Sequence, residues 1–444
     1  MSVPELAQLT AVQMAAEIHA GNCRSEELVA ACLSVIAERE ETVGAWTHLD
    51  AEQALAQARN ADLERSSGRP VGPLHGVPFA AKDIFDTADM PTEYGSPLFS
   101  GRQPLRDAAA IARLREAGAV LIGKTVTTEF AVYHPGKTRN PHNPERTPGG
   151  SSSGSAAAVA AHMVPFALGT QTNGSVIRPA SFCGVYGLKP TFGLISRTGV
   201  LTQSPPLDTP GIFARSIEDL AVAADMLSAY DPEDAGMYPR SRGSHYRTAI
   251  AEPPLPPVLG FVKSPVWDRA EAGTKAAFEE LADALGAHCE EVALPDGFAS
   301  AIEWHGHIML ADLARHFGPL AERSGDAMSE RLRGMIDQGR HVTAVQYNNA
   351  RDQAARLAER FEDLFNRYGA ILTPATSGPA PLGLGATGDP IFCTLWTYLG
   401  VPALSLPLLE VDAMPVGVQL IGARREDARL LRTARWLVNH LAAS

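Results

Sequence analysis

The chain has 444 residues, 45% hydrophobic and 20% charged, with a formal net charge of −12. That length allows up to about three average domains, and the composition is that of a soluble globular protein with ample core. The acidic balance, with no basic run visible, argues against a nucleic-acid partner, and no apolar stretch approaches the roughly 18 residues that cross a bilayer.

In chain order, MSVPELAQLT has neither the basic n-region nor the apolar h-region of a secretory signal. Ser25 reads as an N-cap, followed by Glu26 and Glu27, which suit the positive end of a helix running to about Glu40. A second helical pattern covers Asp50 to Arg65. Beyond it, short apolar runs bounded by Gly and Pro alternate with helical stretches. Val77–Ala81, Ala119–Gly123, Val164–Gly169 and Val258–Val262 read as buried strands, as do Gly369–Pro374, Pro402–Leu408 and Val416–Gly422. Helical patterns fall at Asp107–Ala117, Ser216–Ser228, Ala270–Leu285, Thr343–Phe365 and Glu426–Leu441, and Ser216 with Asp219 suggests a capping box. The alternation predicts an α/β fold. A single large domain, 1–444, is expected around a central mixed, mostly parallel β-sheet covered by helices on both faces. Five scattered cysteines (Cys23, Cys32, Cys183, Cys289, Cys393) suggest reduced thiols and a cytoplasmic location.

Several familiar motifs match in form and fail on context. GAVLIGKT (Gly118–Thr125) fits GxxxxGK[ST], but Ala119–Ile122 between the glycines is itself strand sequence and cannot wrap a triphosphate. The GxGxxG at Gly383, Gly385 and Gly388 leads into Asp389–Pro390 and not directly into a helix. The GxSxG centred on Ser152 has no strand immediately upstream, so it is no hydrolase elbow. His305 and His307 form an HxH pair without further ligands at a familiar spacing, and no metal site is expected.

Two glycine-rich serine stretches remain, PGGSSSGSAAAVAA (148–161) and GTQTNGSVIRPASFCG (169–184), with Lys82 upstream in GVPFAAKD. Together they supply a nucleophile, a relay hydroxyl, a base and open backbone for an oxyanion, all without histidine. The serine cluster runs into Ala156–Ala161, which reads as a helix start and not a linker.

On these blocks, and on GKTVTTEFA, GVPALSLPL and PVGVQLIG, the chain closely resembles the amidase signature family. The family places its nucleophilic serine 24 positions after its bridging serine, as Ser151 and Ser175 stand here. The resemblance implies Ser175 as nucleophile, Ser151 as bridging serine after a cis peptide at Gly150, and Lys82 as a base made neutral by burial. Backbone N–H groups of Thr172, Asn173, Gly174 and Ser175 would form the oxyanion hole. Gly150 and Ser152 would support the site, with Ser152 either hydrogen-bonding Lys82 or serving as a structural hydroxyl. It further implies N-terminal helices (1–68) wrapping a catalytic core block of about 74–215, and a variable substrate-pocket region of about 250–400.

Two departures stand out. Asn173 replaces the first glycine of the usual pair before the nucleophile, tolerable because asparagine accepts positive φ. Arg178 lies three residues after Ser175, resembling the malonamidase-like branch. It either reads a substrate carboxylate or ties down the loop. Tyr133 and His134 follow TEFA near the expected acyl site. Trp304, Ile308, Met309, Phe392, Leu395 and Trp396 are the apolar candidates for pocket walls.

The resemblance therefore implies a cofactor-free amidase that cleaves a small carboxylic amide, with no nucleic-acid or membrane partner and a homodimer left open. Its rivals are the glutaminase component of a tRNA-dependent amidotransferase, a hydrolase of hydrazides, esters or urea-like compounds, and a non-catalytic binding protein. Asn173, the Arg178 placement and VYHPGKTRNP look unlike the amidotransferase branch, and the intact Lys82–Ser151–Ser175 set argues against the binding protein.

Overall fold

A computed structural model of the chain describes residues 3–239 and 244–443. Met1, Ser2, residues 240–243 and Ser444, which the expected 1–444 domain includes, lie outside the described residues. The strands are β1 (Trp46–Leu49), β2 (Pro78–Lys82), β3 (Val120–Thr125), β4 (Phe166–Gln171), β5 (Tyr186–Lys189) and β6 (Thr209–Ala214). They continue as β7 (Leu259–Phe261), β8 (Cys289–Glu291), β9 (Ala370–Pro374), β10 (Ala403–Val411) and β11 (Met414–Ile421). All join one sheet in the order β1-β3-β2-β4-β6-β5-β10-β11-β9-β7-β8. Every residue of β2, β3, β4, β6 and β9 is buried, so both faces of the central sheet are covered. Among the described residues no helix is long and apolar enough to cross a membrane.

The sheet is mixed, as expected, but mostly antiparallel and not mostly parallel. Only β3–β2, β2–β4, β9–β7 and β7–β8 run parallel, against six antiparallel pairs. Two causes are visible. Strands β5 (YGLK) and β6 (TPGIFA) carry Gly, Lys or Pro, which blunts their strand signal, and each pairs only antiparallel. Strands β10 and β11 form a hairpin through Asp412 and Ala413, whose φ values of 52° and 56° suit a two-residue turn.

Local capping also differs from expectation at two helices. Ser25 opens helix Ser25–Val43 from inside: its hydroxyl donates to Gly76 O at 2.8 Å, while Asp62 accepts the N–H groups of Ser25 and Glu26. Ser216 does cap Ile217–Leu227 through Asp219 N, but the box is not closed, because Asp219 Oδ1 accepts Val12 N from the N-terminal segment. Asp50 caps Ala51–Ser66 through Gln53 N.

Parallel pairing brings the C-terminal ends of β2, β3 and β4 to one edge, with Ala81 opposite Leu168 and Lys82 opposite Thr125. Helix Ser153–Ala160 seats against this edge. Gly154 N donates to Val126 O at 3.0 Å, and Ser155 Oγ meets Thr125 Oγ1 at 2.7 Å and Leu168 O at 2.8 Å. A Cβ on Gly154 would stand 2.3 Å from Ala45 O and 2.4 Å from Val126 N. Gly154→Ala is therefore expected to lift the helix from the sheet edge. It should cost about 2 kcal/mol or more, read as a lower unfolding midpoint in urea.

Candidate active site

Lys82 ends β2 with no exposed surface, and its Nζ lies 2.6 Å from Ser151 Oγ and 2.9 Å from Thr170 Oγ1. Burial drives its pKa well below that of a free lysine, against a smaller upward pull from Asp208. A neutral amine in this position has a lone pair for the Ser151 hydroxyl proton. Asp208 is itself pushed up to about 6 by burial and accepts Thr172 Oγ1 at 2.6 Å. A cavity of about 190 Å³ adjoins this side, lined among others by Thr170, Thr172, Leu201 and Asp208.

Ser151 follows a cis peptide after Gly150, and its carbonyl accepts Thr128 N. Of the two sequence readings of Ser152, the structure takes the structural hydroxyl: it does not bond the lysine. Its hydroxyl donates to Thr170 O and accepts Thr170 N, both at 3.2 Å. It thereby places Thr170, whose own hydroxyl is the lysine's second partner. Thr170 is a site residue that sequence reasoning missed.

The turn that carries Ser175 lies between β4 and helix Ile177–Cys183. Gln171 Oε1 accepts the N–H groups of Val176 and Ile177 at 2.8 and 3.0 Å. Among the described residues no acceptor takes the amides of Asn173, Gly174 or Ser175, which leaves a row of open donors beside the Ser175 side chain. Thr172 contributes differently: its carbonyl meets His305 Nε2 at 2.9 Å. Burial pushes His305 down to about 4, so a neutral ring donates there. The HxH pair thus contains a positioning residue.

Neither Asn173 nor Gly174 adopts positive φ, so the conformational argument for asparagine does not apply. Gly174 is needed for space, since a Cβ would sit 2.8 Å from Pro390 Cβ. The Asn173 side chain is held from both ends: its Nδ2 donates to Tyr133 Oη at 2.9 Å, and its Oδ1 accepts Thr394 Oγ1 at 2.7 Å. Its carbonyl accepts Thr397 Oγ1 at 2.5 Å, and Gln171 Nε2 donates to the same threonine. Helix Ile391–Tyr398 therefore meets the turn through hydroxyls, which an apolar search for pocket walls could not find.

Trp396 is buried in the core against Phe361, with ring centroids 5.4 Å apart. Ile308 lines a cavity of about 510 Å³ with Tyr398, Arg315 and Arg351, and Trp304 tilts against Tyr398 at 6.4 Å. Tyr133 reaches the Ser175 turn through Asn173.

Arg178 is fully buried. Its Nη1 donates to Gly388 O and its Nη2 to Gly150 O, each at 2.7 Å. Of the two sequence readings, this geometry is that of an arginine tying the Gly150 peptide to the Gly388 loop. Arg178→Met should strand two buried carbonyls and cost about 2–4 kcal/mol. Steady-state assays should then show kcat/KM falling equally on acidic and neutral amides; a loss confined to acidic ones would restore the carboxylate reading.

A family model described as Amidase matches residues 27–431. The chain is similar to the A subunit of the glutamyl-tRNA(Gln) amidotransferase of Chloroflexus aurantiacus, with 36% identity over 96% of each chain. Among solved structures, it resembles a chain of a complex described as a vestigial protein complex that reveals the evolutionary origins of an s-triazine catabolic enzyme. That match has a TM-score of 0.90, 29% identity and coverage of 97% and 98%. A peptide amidase from Stenotrophomonas maltophilia matches with a TM-score of 0.85 and 29% identity over 99% and 98%.

Proposed function

The chain belongs to the amidase signature family, and from that premise we propose that it hydrolyses the C–N bond of a carboxamide through an acyl-enzyme on Ser175. The observation that carries the reading is the 2.6 Å contact between Lys82 Nζ and Ser151 Oγ in a fully buried setting. Neutral Lys82 takes the Ser151 proton while Ser151 takes that of Ser175, and Ser175 Oγ attacks the amide carbon. The open amides of Asn173, Gly174 and Ser175 receive the oxyanion. Lys82 returns its proton through Ser151 to the leaving nitrogen, because an amide anion is too basic to depart unprotonated. Water then attacks the ester by the reverse relay and frees the carboxylate.

A second reading concerns what the ammonia is for. The curated relatives, named as the A subunits of glutamyl-tRNA(Gln) amidotransferases, favour glutamine as donor and a protein partner that consumes the ammonia. That reading has more support from relatives than the stand-alone amidase expected from sequence. The solved structures similar to this chain include a peptide amidase, which favours hydrolysis of an amide as the whole reaction. Both share the first half-reaction. Ammonia release from glutamine and from a panel of simple amides, measured on the purified chain, tests them together. Turnover of neither would overturn the hydrolase reading, and turnover of simple amides at rates matching glutamine would favour the stand-alone enzyme.

A further inference from the structure

The amides of Asn173, Gly174 and Ser175 have no acceptor among the described residues, so what lies behind them sets their direction. A peptide unit is planar and trans, and its C=O and N–H point opposite ways. A donor fixed on one residue's carbonyl therefore aims the N–H of the next residue.

All three carbonyls behind the row are held. Thr172 O shares its peptide with the Asn173 N–H and accepts His305 Nε2 at 2.9 Å. Asn173 O shares its peptide with the Gly174 N–H and accepts Thr397 Oγ1 at 2.5 Å. Gly174 O shares its peptide with the Ser175 N–H and accepts Arg178 N at 3.0 Å. The last bond is local, made where helix Ile177–Cys183 begins. The other two arrive from helices Ala301–Ala321 and Ile391–Tyr398. Thr397 is fixed in its turn. Gln171 Nε2 donates to its hydroxyl at 2.9 Å, while Gln171 Oε1 accepts Val176 N and Ile177 N, so hydrogen bonds brace the turn on both sides of Ser175. His305 and Thr397 are both buried, which keeps bulk water from competing for the two carbonyls. A hydrogen bond on a carbonyl also polarises its peptide and strengthens the N–H as a donor.

We propose that Thr397 and His305 are positioning residues for hydrolysis, aiming the Gly174 and Asn173 amides at the oxygen that gains charge as Ser175 attacks. The proposal rests on the acyl-enzyme reading and adds to it two residues that act through the backbone of the turn, outside the Lys82–Ser151 relay.

Three variants test it. Thr397→Val keeps the shape and removes the donor, His305→Phe keeps a ring and removes the donor, and Thr397→Ser keeps the hydroxyl. On the amide turned over fastest, the first two are each expected to lower kcat about 10- to 100-fold with KM within about threefold, because the oxyanion exists only after attack. Thr397→Ser should hold kcat within about threefold of the unaltered protein. The acid limb of the pH profile, set by Lys82, should stay at the same pH in all three. Labelling of Ser175 by phenylmethylsulfonyl fluoride, read by mass spectrometry, should follow the same ranking. In that reaction Oγ bonds sulfur, fluoride leaves and a sulfonyl oxygen takes the oxyanion's place. Urea unfolding checks that each variant is folded, and His305→Phe tests the aim independently should Thr397→Val not fold. Unchanged kcat in the first two variants, a rise in KM alone, or Thr397→Ser as slow as Thr397→Val would each overturn the proposal. Labelling that keeps the ranking without turnover of any amide would remove the hydrolase reading and leave the aiming standing. An unaltered protein whose Ser175 neither turns over an amide nor takes the label would remove both.

Discussion

Ser175→Ala is expected to abolish ammonia release from every amide, by roughly 10⁴-fold or more, with stability changed by no more than about 1 kcal/mol. The size follows from the division of labour in the turn. Alanine removes the atom that attacks, yet keeps the open amides of residues 173–175 and the Gln171 bonds to Val176 and Ile177 that shape them. Substrate should still bind, and what survives should be the small acceleration that an oxyanion site and binding give without a nucleophile. Mass spectrometry of acid-quenched reactions should find an acyl adduct on the peptide holding Ser175, and none in the variant. Full activity in Ser175→Ala would sink the mechanism.

Lys82→Met is expected to separate activity from stability. Losing the base should lower kcat/KM by about 10²- to 10⁴-fold. Stability at neutral pH should rise, because burial is what depresses the lysine and the native state must hold it without its proton. The sign follows from proton counting. Between the depressed folded value and about 10.4 the unfolded chain binds a proton that the native chain does not, so stability climbs with pH across that window and is fully recovered above it. Methionine removes this slope. Thermal unfolding of both proteins at pH 7 and pH 9 measures it, and a Lys82→Met protein less stable at pH 7 would show a charged, paired lysine. The same depression predicts a kcat/KM that rises with pH on its acid limb. Asp208 pulls the lysine upward, so Asp208→Asn should shift that limb to lower pH.

How much of this was legible depends on the range of each contact. Lys82, Ser151 and Ser175 sit in short glycine-rich blocks whose spacing is itself the signal, and the β2–β4 pairing that joins them is local in the sheet. Gln171 lies inside the same block, and its place just before the turn could have marked it as the clamp on Val176 and Ile177. Thr170 was passed over because a strand-end threonine looks like ordinary sheet. Sequence leaves Ser152 open between the lysine and a structural role, and register sets it against the Thr170 backbone. His305, Thr394 and Thr397 approach from more than a hundred residues away, and nothing in their own segments announces the turn they hold.

Periodicity by itself pointed to an α/β fold, and the resemblance carried by a few short motifs supplied the family and the three residues proposed for chemistry, because each motif is read within its own segment. Tertiary structure alone decided strand direction, which hairpin turns and blunted strands conceal from periodicity. It also decided between the two readings of Arg178. In sequence it is a cation free to meet a ligand, but it is buried on the carbonyls of Gly150 and Gly388, and only packing sets whether a charge is left for a substrate.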